Sequence, residues 1–130
     1  MSDSILVDQS KEFAVDILTL CESIRSNGKS ASIINQLLRS GTSIGANIHE
    51  ANYASSKNDF INKFQISLKE CYETDYWLSV FHDAKIITDE EYKETSSKCS
   101  SIRRKLIASI NTAKKVDEGQ LQAERIKTDE

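Results

Sequence analysis

The chain has 130 residues, with 17 Lys and Arg against 20 Asp and Glu and a formal net charge of -3. That length supplies one core and is too short for two, and 38% apolar with 28% charged residues describes a well-solvated globular chain, not a disordered or fibrous one. Proline is absent and there are only four glycines, which excludes a sandwich or barrel needing a turn about every 8–12 residues.

Four segments carry helical periodicity. The first is expected over about 8–27, where Phe13, Ile17, Leu20 and Ile24 recur at steps of four, three and four and so share one face. Asn27-Gly28 supplies a left-handed residue to end it. The second, about 30–53, steps through Ile34, Leu37, Gly41, Ile44, Ile48 and Ala51. Glycine costs a helix about 1 kcal/mol relative to alanine. Gly41 and Gly45, four apart on one face, offset that cost by letting a neighbouring backbone approach closely. A phosphate-cradling loop is the alternative, but no strand precedes these glycines and no Gly-Lys-Ser/Thr follows.

The third segment, about 57–84, is capped by Ser55 or Ser56, with Asp59 complementing the dipole of its first turn. Phe60, Phe64, Ser67, Cys71, Thr74, Leu78 and Phe81 form its main stripe, and Ile61, Ile66, Leu68, Tyr72, Trp77 and Val80 spread apolar character beyond it. A helix apolar on more than one face buries more than one face, which in so small a chain predicts a subunit interface. The fourth segment, about 89–115, opens on the capping box Thr88-Asp89-Glu90-Glu91 and runs through Tyr92, Cys99, Ile102, Leu106, Ile110 and Ala113. Residues 117–130 form a polar tail, expected to be frayed or disordered. Four such helices joined by short connections predict an all-α, antiparallel up-and-down four-helix bundle over residues 1–116.

No stretch approaches the roughly 18 apolar residues of a membrane span, and the start Met1-Ser2-Asp3-Ser4 lacks the layout of a signal peptide; a cytoplasmic protein with no membrane role is expected. Cys21, Cys71 and Cys99 are widely spaced and fall at apolar helical positions, so they read as reduced core residues and not as a metal or redox set. A di-metal bundle requires Glu-x-x-His pairs, but Ala46 and Ser79 stand three before His49 and His82. No zincin helix, serine elbow or cofactor motif is present. Glu70 and Glu73 could act as an acid/base pair, but a pairing with Arg39 that fixes helix register explains them better. No enzyme, metal or cofactor is expected.

Charge is unevenly spread. Residues 70–94 hold eight acids and two bases, whereas residues 98–115 hold six bases (Lys98, Arg103, Arg104, Lys105, Lys114 and Lys115) and no acid. In an antiparallel bundle the start of the third helix, with Lys57 and Lys63, lies beside the basic end of the fourth. Such a pole suits phosphate backbones. It also suits a plain solvated face, because bases near a helix C-terminus answer the macrodipole.

The stretch Asn35-Gln36-Leu37-Leu38-Arg39-Ser40-Gly41-Thr42-Ser43-Ile44-Gly45-Ala46-Asn47-Ile48-His49-Glu50-Ala51 resembles the signature of a bacterial family. So do Ser56-Lys57-Asn58-Asp59-Phe60-Ile61-Asn62-Lys63 and Leu68-Lys69-Glu70-Cys71-Tyr72-Glu73-Thr74-Asp75-Tyr76-Trp77-Leu78. These are the four-helix-bundle proteins named for 23S rRNA intervening sequences, and the resemblance runs from Lys11 to about Lys115. The chain is similar, more distantly, to the accessory proteins of diversity-generating retroelements. The resemblance implies a small cytoplasmic bundle assembled into a ring-like homopentamer. It also implies a link to nucleic acid, since the retroelement relatives bind RNA and a reverse transcriptase through a strongly basic surface. This sequence departs there, being acidic overall. No catalytic residue is carried over. The motif residues take structural roles: Gly41 and Gly45 in close packing, Arg39 and Glu70 as a register pair, Trp77 as a core or interface anchor.

The expectation is a non-enzymatic, homo-oligomeric binding or adaptor module. Its ligand is RNA or DNA, held through Lys57, Lys63, Arg103, Arg104, Lys114 and Lys115. The alternative is a protein-directed scaffold that binds an unidentified protein and no nucleic acid.

Overall fold

The computed structural model describes residues 4–28 and 31–129, with side chains up to residue 115. Within them lie four helices and no strand: α1 (Ser4–Ser26), α2 (Ala31–Ala51), α3 (Lys57–Asp83) and α4 (Asp89–Asp129). The tail expected over 117–130 lies outside the described side chains.

Local chemistry sets the helix ends. After α1, Gly28 adopts φ 77° and its N–H donates to Arg25 O at 3.0 Å, the left-handed close expected of Asn27-Gly28. Ser56 caps α3, its Oγ accepting from Asp59 N at 3.1 Å while Asp59 Oδ2 accepts from Ser55 N at 3.3 Å. At α4, Thr88 Oγ1 accepts from Glu91 N at 3.0 Å and Glu91 Oε1 accepts from Thr88 N at 2.9 Å, which is the capping box in full.

Every seam between neighbouring helices is antiparallel. Along α1–α2, Ile17 meets Gly41 and Ser10 meets Gly45. Along α2–α3, Ser67 Oγ donates to Ile44 O at 2.8 Å and Thr74 Oγ1 to Ser40 Oγ at 3.1 Å. Along α3–α4, Cys99 Sγ–H points at Cys71 O, 3.6 Å away. The ring closes where Gln9 Nε2 of α1 donates to Ser101 Oγ of α4 at 3.0 Å. Each helix thus packs on its neighbours in sequence and α4 returns to α1, an up-and-down bundle.

The core follows the stripes. Phe13, Ile17 and Ile24, then Ile34, Leu37, Ile44 and Ile48, then Phe64, Cys71, Leu78 and Phe81, then Cys99, Ile102, Leu106 and Ile110 are all buried. Three expected members sit at its rim: Leu20, Phe60 and Tyr92 are partly buried, with Cys21 and Ile61 in the core beside them. Gly41 and Gly45 serve α1. A Cβ on Gly41 would stand 2.9 Å from both Cγ atoms of Ile17, and one on Gly45 would stand 3.1 Å from Ser10 O. Among the described residues, no helix is long and apolar enough to cross a membrane.

Candidate binding surfaces

The bases expected to form one pole are divided. Arg103 lies in mid-α4, about 16 Å along the axis from Lys114 at 1.5 Å per residue. It is committed to α3: Nη1 pairs with Asp75 Oδ2, Nη2 donates to Ser100 Oγ at 3.3 Å, and the guanidinium lies 5.5 Å from the centroid of the Tyr72 ring. Burial pushes the Asp75 carboxyl up, and the Cys99 thiol and Arg103 pull it back without cancelling the rise.

At the other end, Lys63 Nζ donates to Glu50 Oε2 at 2.9 Å, binding α3 to the end of α2. That bond holds the ammonium above its usual range. Lys57 opens α3, is partly exposed and is also engaged by neighbours. Lys98 and Lys105 face α1, bonding Asp16 at 2.8 Å and Gln9 at 2.7 Å. Arg104, Lys114 and Lys115 are exposed, and none of the three meets a carboxylate among the described residues. Of the six bases expected to hold a nucleic acid, these three are left to the solvent.

Arg39 reaches from α2 to both carboxylates of the α3 pair, Glu70 Oε2 at 3.3 Å and Glu73 Oε2. The register bond expected between Arg39 and Glu70 therefore takes in Glu73 as well. Further along α3, Trp77 packs on the core from its rim. Its ring meets Tyr76 edge-on, with centroids 5.1 Å apart. Its Nε1 is buried and finds no acceptor among the described residues.

The apolar spread of α3 resolves into three groups. Ile61 is core, and Leu68, Trp77 and Val80 are partly buried. Tyr72 and Tyr76 are 54% and 60% exposed, four residues apart on one outward face, with Ile107 of α4 also exposed. This aromatic surface lies beside Arg103, whose guanidinium stands over the Tyr72 ring; the sequence signalled it only as excess apolar character.

The three cysteines are free and buried. Burial raises Cys21 to about 11, and the hydrogen bond with Cys71, reinforced by burial, pushes the Cys99 thiol up still further. Thiols held in the protonated form are inert packing groups. Among the described residues, no group of His, Cys, Asp and Glu is arranged to hold a metal ion.

One cluster went unforeseen. At the end of α3 the His82 ring stacks on Tyr92 at 4.4 Å and 19°. Its Nε2 lies 2.6 Å from Asp89 Oδ1 and its Nδ1 lies 3.3 Å from Asp83 Oδ1. The Asp89 bond raises the imidazole above its ordinary range; burial opposes it, and the Asp83 bond adds a lesser rise.

A crystal structure of a protein of unknown function from the S23 ribosomal protein family of Bacteroides thetaiotaomicron is 44% identical to this chain. The match covers 85% of this chain and 99% of that one, with a TM-score of 0.82. No curated protein matches the chain. The model of the 23S rRNA-intervening sequence protein family matches residues 2–108, so much of the chain that it belongs to that family.

Proposed function

We propose that the chain is a non-enzymatic binding or adaptor module that works as a homo-oligomer. The observation that carries this is the outward pair Tyr72 and Tyr76 on α3. Aromatic side chains contribute large contact area at low entropic cost and concentrate at interfaces. A ring-like assembly, pentameric by family resemblance, would cover this face in every copy. Light scattering of the purified chain tests it: a mass several times that of one protomer is expected, and a monomer at micromolar concentration overturns it.

A second reading, favoured by Arg104, Lys114 and Lys115, is that the assembly binds RNA or DNA. Three phosphate contacts on one copy predict that affinity falls about 40-fold between 50 and 200 mM salt, and more steeply when several copies engage one strand. Fluorescence anisotropy across a salt series measures this slope. Flat traces on every RNA and DNA at low salt would leave a protein-directed scaffold.

A further inference from the structure

We propose that the α3–α4 corner is a proton-operated clamp: doubly protonated His82 ties the end of α3 to the first turn of α4 by charge-assisted bonds, and neutral His82 loosens that tie. The case starts from valence. A neutral imidazole has one N–H and one lone pair, yet both ring nitrogens of His82 face carboxylate oxygens, Asp89 at 2.6 Å and Asp83 at 3.3 Å. Only the imidazolium donates to both. In the neutral ring the single N–H serves one carboxylate, the lone pair faces the other, and the positive charge that strengthened both bonds is gone.

The surroundings favour the charged ring. His82 lies in the last turn of α3, where the helix dipole favours a cation. Two acids face its nitrogens, Asp83 on its own helix and Asp89 on α4, and Glu90 and Glu91 share the first turn of α4 with Asp89. Glu91 is taken up by Thr88 N. Lys85 is the one cation in the intervening turn, and Tyr92 covers the ring face. Among the described residues, no charged group of α1 or α2 bonds to the ring.

Geometry also makes the tie reversible. Asp89 is almost wholly exposed, so water competes for its carboxylate once the ring loses its charge. The corner beneath is tightly built. Lys85 holds φ 61°, Ile86 N donates to Phe81 O at 2.8 Å, and Ile87 is buried in the core. Because the folded state raises the imidazole, the clamp contributes fully below the ordinary histidine range. Its contribution falls as pH climbs through the raised value and is absent above it.

The test uses the full chain. The ring resonance of His82, assigned by its loss in His82→Gln, is followed by NMR against pH, together with hydrogen exchange of the amides of Ile86, Ile87 and Tyr92. The His82 midpoint should lie above about 6.5 and drop towards it in Asp89→Asn. Corner amides should lose protection as pH rises through that midpoint, about tenfold in opening equilibrium for each pH unit of displacement. In His82→Gln their protection, corrected for intrinsic exchange, should be low and independent of pH. A midpoint at or below the ordinary value overturns the proposal. So does a raised midpoint with corner protection as flat as in His82→Gln.

Discussion

At the scale of single residues, the two glycines of α2 and the Arg103–Asp75 pair show what a side chain costs or holds. Alanine at position 41 gains about 1 kcal/mol of helix propensity but drives a methyl against the branch point of Ile17. A branched carbon has no free end to swing aside, and overpacking of this kind costs about 1–3 kcal/mol. Gly41→Ala is therefore expected to lower the urea midpoint, by about 1 kcal/mol net. In an Ile17→Ala background the obstacle is gone, and the same substitution should stabilise; a double-mutant cycle shows the change of sign. The Arg103 pair carries a pH signature. Arg103→Met leaves Asp75 half-buried with its counter-charge removed, at a cost of about 1–3 kcal/mol near neutrality. A carboxyl already raised in the fold takes a proton more readily there than in the unfolded chain. The stability gap to wild type should therefore narrow as pH falls through the carboxylate range, as denaturant melts at pH 4 and 7 would show. The close packing of Gly41 and Gly45 was readable because helical spacing put them on one face. The capture of Arg103 by Asp75 was not, since it depends on which turn of α3 faces which turn of α4.

At the scale of helices, periodicity gave the faces and punctuation gave the ends. α1 nevertheless begins before the first residue expected of it, and Leu6 is buried. The four-three rhythm does run through Leu6, Ser10, Phe13 and Ile17, but a serine interrupts its apolar character. Ser10 is buried because its backbone is the surface against which Gly45 packs. The His82 cluster stayed hidden for a related reason. It depends on a lysine in the left-handed region at the α3–α4 turn, a conformation that an L-residue with a side chain seldom takes. The capping boxes, by contrast, are local, and their effect is local too. Thr88→Ala removes the oxygen that accepts Glu91 N and should cost about 1 kcal/mol. Glu91→Ala breaks the reciprocal half, and because both changes open one ring of bonds, the double variant should cost less than the sum of the two. Urea titrations of the three variants measure that coupling.

At the scale of the whole molecule, closing four antiparallel helices into a ring satisfies the core and leaves α3 with a second, outward character. Phe81 is core alone, at 1% exposure. Trp77 lies at the rim, and Tyr72 and Tyr76 stand clear of it. These positions separate folding from assembly. Trp77→Ala should destabilise the protomer by about 2 kcal/mol or more, because it strips packing from the core edge. Tyr72→Glu with Tyr76→Glu places two carboxylates where the rings already face water, so helix content should be unchanged. The same pair would put unpaired charge into any interface formed there, which costs several kcal/mol per contact. The double variant should therefore run as a single protomer in light scattering. Its Tm should be independent of protein concentration, whereas the wild-type Tm should rise with concentration, the mass-action signature of the proposed assembly. A double variant that keeps the wild-type mass would place any assembly on another face of the bundle and leave the tyrosines without that role.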